Sequence, residues 1–288
     1  MSEIVVGRVS SILRYPLKSM LGEELETVAF DQRGVVGDRR YALIDDETGK
    51  VVSVKRPRWW GRMFELTGRT ADDGGAVVSF PDGETVAVGD PKLSVRLGEF
   101  FGRPVTVADT PPPDARFDEI WVRELKGGAE PYFGMGSRTE DGEEMIDGGA
   151  FMGPAGNFFN FGAVHLVTSS TVAELTRHAP QSRFDAHRFR PNVVVDTDGD
   201  GFVETEWQGR TLQIGPVQLR VSFTVPRCVM TTLAQGDLPA DREVLRTIAA
   251  TNSVDVLQTG TPYPCAGVYA DVLAEGEIHR GDPVKLID

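Results

Sequence analysis

Cysteine is scarce in this sequence: Cys228 and Cys265 are the only two in 288 residues. Two cysteines cannot build a disulfide framework, and their separation matches no zinc-ligand spacing. Histidine is nearly as rare, with four residues at 165, 178, 187 and 279. None stands at a spacing that nominates it as the basic partner of a cysteine nucleophile. No run approaches the roughly 18 consecutive apolar residues that a spanning helix needs, so no membrane partner is expected. Positive charge is short as well: 30 Lys and Arg against 43 Asp and Glu give a net charge of −13. That balance argues against a nucleic-acid backbone as a partner. It also requires that any anionic ligand be held by local basic groups acting against the global field. The opening MSEIVVGRVSSILRYPLKSM carries an early acid and no continuous apolar core. It is therefore not read as a signal peptide, and a cytoplasmic location is expected.

Apolar residues make up 40% of the chain and charged residues 25%, the balance of a soluble globular protein. At 288 residues it can form one large domain or two ordinary ones. Over 1–108, short runs rich in Val, Leu, Phe and Tyr (LETVAFD, RRYALIDD, KVVSV, AVVSF, ETVAV, LSVRL) read as strands. Turn chemistry such as DQRG, DETGK, DDGG and PDGE separates them. This spacing predicts a β-barrel-like N-terminal domain. Residues 109–157 change character, opening with the prolines of DTPPPDARFDE and turning rich in glycine and acid. They read as a connection over the surface, and their glycines do not follow a strand in the phosphate-cradling pattern. Over 158–288, AVHLVT, NVVVDTD, TLQIG, VQLRVSFTVPRC and GVYADVL read as strands, with SSTVAELTRHAP and PADREVLRTIAAT as helices. The expected fold class is β-rich α+β, with a barrel-like domain at each end and a few helices.

Three stretches carry chemistry. In RYPLKSM, Pro16 interrupts a strand pattern just before Lys18 and Ser19. A lysine and a hydroxyl at a strand break can bind an anion, or can sit in a turn as solvated groups. Arg39, after Gly37 and Asp38, is a second turn residue open to both readings. In HRFRPNVVVD, Arg190 and Asn192 flank a proline at the mouth of a buried-looking strand. A guanidinium suits a phosphate and an amide suits a heterocycle edge, while pairing with an acid is the competing account. In VPRCVMTT, Cys228 follows Arg227 at a strand end. From its neighbours alone it can be a small buried hydrophobe, a nucleophile or a ligand. Cys265, in TPYPCAGVY, has no basic neighbour and reads as structural.

In order along the chain, YPLKSM, GDRRYALID, KRP, HLVTSS, FRPNVVVD, PRC, GVYADV and GDPVKLID resemble the MOSC family with its N-terminal β-barrel companion domain. These are molybdenum-cofactor proteins similar to the mitochondrial amidoxime-reducing component and its bacterial relatives. The resemblance implies a pterin cofactor between two β-rich domains, its molybdenum held by the pterin dithiolene, oxo-type ligands and one cysteine, which matches Cys228. Soft thiolate suits that ligand set. It further implies cofactor-binding roles for Lys18 and Ser19 of YPxKS, Arg39 of GDR, Thr168 and Ser169 of LVTSS, and Arg190 and Asn192 of RPN. Arg227 beside the cysteine and Tyr269 of the GxY segment complete the set. The implied activity is reduction of N-oxygenated compounds such as N-hydroxylated bases, amidoximes and hydroxylamines. No cluster-binding cysteines stand before Asp288, so electrons are expected from a separate ferredoxin- or flavoprotein-type donor. Two positions depart from the pattern: Asn160 stands where many relatives have an acid, and Pro226 precedes the arginine where a residue with an N–H often stands. The alternative reading is a cofactor carrier or a persulfide-bearing sulfur-delivery protein.

Overall fold

The run Val193–Val195 is buried on both faces in a computed structural model, which describes residues 3–120, 137–150 (147–150 by backbone alone), 156–256, 258 and 260–287. It belongs to β14 (Val193–Asp196), one stave of a closed barrel. Around the barrel the order is β13 (Val164–Thr168), β14, β1 (Glu3–Arg14), β20 (Pro283–Ile287), β15 (Thr211–Ile214), β16 (Val217–Pro226) and β18 (Tyr263–Ala274). β18 then pairs back onto β13 and closes the ring. Short strands β2 (Glu23–Leu25) and β17 (Ser253–Val254) pair with β1 and β18. The β13–β14 pair is parallel, and the helix α3 (Ser169–His178) is the crossover that such a pair requires.

Side-chain alternation explains the barrel interior. Leu212 and Ile214, Leu219 and Val221, and Val268 and Ala270 are each two residues apart, and all six are buried in one cluster. On β13 and β14 the outward residues are buried too, because Val167 and Val194 pack under α3 and α4 (Glu243–Thr251). A strand covered on both faces reads as a continuous apolar run, as VVV does.

The N-terminal half adds a second core containing Leu17, Met20, Leu43, Met63, Leu93 and Leu97. It is framed by β5 (Ala42–Asp45) with β9 (Val105–Ala108), and by β6 (Thr67–Thr70), β7 (Ala76–Ser79) and β8 (Thr85–Ala87). The short helix α1 (Pro57–Trp60) and the longer α2 (Pro91–Phe101) complete it. The halves share sheets: β1 is a barrel stave, and β3 (Thr27–Asp31) with β4 (Gly34–Val35) pairs to β19 (Gly276–His279).

Two strand expectations are corrected. LSVRL lies in α2: the Asp90 side chain caps it by accepting from Lys92 N at 2.9 Å, and Gly102 ends it at φ 67°. Leu93 and Leu97, one turn apart, are both buried, a spacing that five residues of alternation do not reveal. In KVVSV, Val51 makes only an isolated bridge to Ile44, and the chain then turns at Val54 and Lys55.

The acidic stretch read as a surface connection carries a sheet of its own: β10 (Arg116–Ile120), β12 (Glu143–Ala150) and β11 (Ser137–Glu140). Residues 121–136 and 151–155 of that stretch lie outside the described residues. The sheet docks on the 51–56 segment through Val51 N to Arg116 O (2.8 Å) and Ile120 N to Lys55 O (2.9 Å). Arg56, 1% exposed, pairs with Asp118 at 2.9 Å and Glu140 at 2.8 Å, and Lys50 reaches Asp118 at 2.6 Å. Replacing Asp118 by alanine is expected to cost about 2 kcal/mol in urea unfolding. That is below the ~3–5 kcal/mol of a fully broken buried pair because Glu140 still answers Arg56. No measurable loss would remove this clamp from the account.

Candidate functional site

Pro16 does end the ladder of β1, and the chain beyond it pairs with the 39–41 turn: Arg39 N donates to Tyr15 O (2.9 Å) and Tyr41 N to Pro16 O (3.0 Å). The tight turn Ala186–Phe189 leads into β14, and a corner follows β16. These segments meet around a cavity of about 120 Å³. Five non-glycine residues among those described have positive φ, and three stand here: Ser19 (65°), Arg39 (46°) and Arg190 (54°). The left-handed conformation costs such residues roughly 1–2 kcal/mol each, and it persists where surroundings over-determine it, typically at functional sites.

Lys18, Arg39, Lys55, Arg188, Arg190 and Arg227 line the cavity, and among the described residues no carboxylate does. Their charges are answered from behind. Asp38, 4% exposed, accepts from Tyr15 N (2.7 Å), Asn192 Nδ2 (2.9 Å) and Arg39 Nη1. The guanidiniums of Arg39 and Arg190 lie 4.3 and 4.2 Å from the Tyr15 ring centre. Lys55 pairs with Glu119 of β10 at 2.7 Å. Lys18 donates to Phe158 O at 3.1 Å and to Asn160 Oδ1. Phe117 of β10 places its ring 5.3 Å from the Lys18 ammonium and 4.8 Å from that of Lys55. Arg188 is occupied by carbonyls, Arg183 O and Pro239 O at 2.8 Å each, and so braces the loop after Cys228.

Burial and crowding of like charge leave their mark on titration. Burial, then the neighbouring Lys55, Arg39 and Arg190, pulls Lys18 well below the ordinary lysine range. Burial brings Arg190 down to about 9, with Arg39 adding to it, and Arg227 down to about 10. The half-buried Cys228 thiol is pushed up by burial, against the opposing pull of Lys55. His165 is held well below 6.5 by burial and by Arg227. Arg227 Nη2 can only donate, so His165 Nε2, 2.6 Å away, accepts. The ring proton is then on Nδ1, which donates to Arg190 O at 3.2 Å.

Of the ten expected residues, eight line the cavity: Lys18, Ser19, Arg39, Arg190, Asn192, Arg227, Cys228 and Tyr269. Thr168 and Ser169 do not. Thr168 caps α3, accepting from Thr171 N at 3.2 Å while its hydroxyl donates to the buried Glu204 at 2.6 Å. Ser169 is bonded to Thr197 N at 3.0 Å. The helix start claims the first hydroxyl, and the backbone that follows β14 claims the second. Asn192 borders the cavity, but its amide is engaged: the nitrogen donates to Asp38 and Leu13 O, and the oxygen accepts from His165 N. Lys55, His165, Asp38 and Glu119 were not singled out beforehand. Lys55 lies in the KRP element, Asp38 in GDR and His165 in HLVTSS, so all three were within reach; nothing local marks Glu119.

The family description of the MOSC domain matches residues 155–285, and that of the MOSC N-terminal beta barrel domain matches residues 6–99. The chain belongs to the MOSC family. The cavity lies where the matched regions meet, with Lys18, Arg39 and Lys55 from the N-terminal beta barrel region and Arg190, Arg227 and Cys228 from the MOSC region. The chain is similar to mitochondrial amidoxime reducing component 2 of Rattus norvegicus, 31% identical over 129 residues, which is 43% of this chain and 37% of that protein. The Homo sapiens counterpart is 30% identical over 122 residues, 41% of this chain and 35% of its own. The match thus spans little more than a third of these relatives. The YUAD protein from Bacillus subtilis, 11% identical, covers 99% of this chain and 97% of its own with a TM-score of 0.43.

The neutral His165 generates a pH prediction. Its folded pKa lies below the ordinary 6.5, so below that pH the unfolded chain binds a proton that the native state refuses. Stability therefore falls as pH drops through that window. Urea unfolding from pH 8 to pH 5 should show a smaller acid loss in His165→Gln than in the wild type. Equal slopes would take His165 out of the acid response.

Proposed function

We propose that this MOSC-family protein holds a molybdenum-pterin cofactor in the cavity and uses it to reduce N-oxygenated compounds. The observation that carries the reading is the cavity wall, with six buried or half-buried cations and, among the described residues, no lining carboxylate, beside one cysteine. A wall of that composition fits a ligand with a terminal phosphate. Among the described residues no group of three or more His, Cys, Asp or Glu gathers to hold a metal. A metal at Cys228 would need most of its ligands from a cofactor, and a sulfur-rich pterin meets that need.

Lys18, Arg39 and Arg190 would hold the phosphate, with the two guanidiniums pre-positioned by Asp38 and the Tyr15 ring. Cys228 would be the single protein ligand, its thiol giving up the proton that burial otherwise favours. Tyr269, stacked among Phe161, Phe223 and His165, would form an apolar face that limits water. When bound, the cofactor would supply two-electron reduction of an N–O bond, which with two protons releases water. Lys18 Nζ, with its lowered pKa, can hold or release a proton beside the ligand. Electrons would come from a separate ferredoxin- or flavoprotein-type donor. In the alternative, a cofactor carrier would use the same cavity without turnover, and a sulfur-delivery protein would use Cys228 as a persulfide-bearing nucleophile.

Protein made in a cofactor-competent host should contain molybdenum near one atom per chain and reduce hydroxylamines when given a working donor. Cys228→Ser should keep its circular dichroism, lose most of that metal and lose turnover. Full turnover by the variant would sink the ligand role, and metal without turnover in the wild type would favour the carrier.

A further inference from the structure

Arg227 is 7% exposed, yet every partner it has is neutral. Its Nε donates to Ala266 O at 2.9 Å, Nη1 to Phe189 O at 3.0 Å, and Nη2 to His165 Nε2 at 2.6 Å and to Ala266 O. Among the described residues it forms no ion pair. A buried guanidinium with no opposing charge is costly, so its counter-charge has to act through something.

Glu204 presents the complementary puzzle. It stands in the turn Val203–Trp207, 0% exposed, and among the described residues it too forms no ion pair. Its carboxylate accepts from Thr168 Oγ1 at 2.6 Å, from Thr171 Oγ1 at 2.7 and 2.8 Å, and from Gly267 N at 3.1 Å.

The Gly267 N–H and the Ala266 C=O are the two ends of one trans peptide group. They point in opposite directions. Glu204 therefore sits at the N–H end of a peptide dipole whose C=O end takes two bonds from Arg227. Each charge is favourable with that dipole, and the two polarise it in the same sense. The arrangement needs glycine at 267. Its φ is 77°, and a Cβ there would stand 2.5 Å from Leu166 O and 2.6 Å from His165 Nε2.

We infer that Glu204 is the counter-charge of Arg227, acting through the Ala266–Gly267 peptide, and is thereby a positioning residue for the Arg227–Cys228 corner of the cavity. The link itself is geometric; its consequence for ligand binding rests on the reading of the cavity as a cofactor site.

Glu204→Gln tests the link, because the amide oxygen still accepts from Gly267 N–H while the charge is gone. Side-chain nitrogen NMR of the apo protein should show the Arg227 Nε–H exchanging with solvent about tenfold faster in the variant. The acceleration should be confined to Arg227 and Gly267, with the flanking amides of β18 unchanged. Faster exchange throughout β18 would mean general loosening, and unchanged exchange at Arg227 would mean no link; either overturns the inference. A double-mutant cycle adds a second reading. Glu204→Gln should shift the unfolding equilibrium about tenfold in the wild type and less than about threefold in Arg227→Met. Equal shifts overturn the coupling. Should Arg227→Met not fold, the exchange measurement decides alone. Molybdenum retained per chain by Glu204→Gln separates the two claims: the coupling stands on exchange, whereas retention equal to wild type despite altered exchange would count against Arg227 as a cofactor contact.

Discussion

The Asp38 carboxylate joins segments that lie far apart in the chain. One oxygen takes the Tyr15 N–H at the end of β1, and the other takes Arg39 Nη1 from its own turn and Asn192 Nδ2 from the mouth of β14. A carboxylate taken out of water persists where donors surround it, and these donors are also what shape the cavity. With Asp38 in place, Arg39 and Arg190 can share the Tyr15 ring despite their like charge, and Asn192 can tie β13 to β1 through His165 N and Leu13 O. The left-handed backbone at Ser19, Arg39 and Arg190 is tolerable only inside such a tied frame.

The wall also reconciles two facts that look opposed, a net charge of −13 and a cavity lined by cations. Beyond a Debye length of about 8–10 Å the acidic exterior is screened, and inside the cavity the local guanidiniums and ammoniums dominate. Acids nearest the wall are turned to its back: Asp38 beneath Arg39, Glu119 behind Lys55, and Glu204 behind the peptide that Arg227 holds. Each stabilises a cation without competing for a ligand.

Much of the strand content was legible in the sequence, because alternation and turn residues are local signals. Val193–Val195 looked like a buried strand, and the structure covers it on both faces. LSVRL misled because five residues fit both periods, and only Asp90, Pro91 and Gly102 at its flanks mark the helix. A barrel was expected, but its strand order was not legible, since nothing near Glu3–Arg14 says that its neighbours are β14 and β20. The same division holds in the cavity. Lys18, Arg39, His165, Arg190 and Cys228 stand in short motifs, whereas Glu119 comes to stand behind Lys55 only through the docking of β10 on the distant 51–56 segment. Thr168 and Ser169 were expected as ligand donors from the LVTSS resemblance, but the first caps α3, whose start has unsatisfied N–H groups of its own, and the second bonds Thr197 N.

The place of β1 in the barrel has a consequence for the newborn chain. It is made before its partners and can pair with β2 at once, but its barrel neighbours β14 and β20 lie at 193–196 and 283–287. While the intervening residues are made, this twelve-residue strand therefore waits without its barrel neighbours. The ring cannot close until residues near 287 emerge. Such long-range pairing makes for slow folding. Ile4 and Val5 on that strand stay exposed even in the folded protein, so its open edge is a site where chains can pair wrongly in the interval.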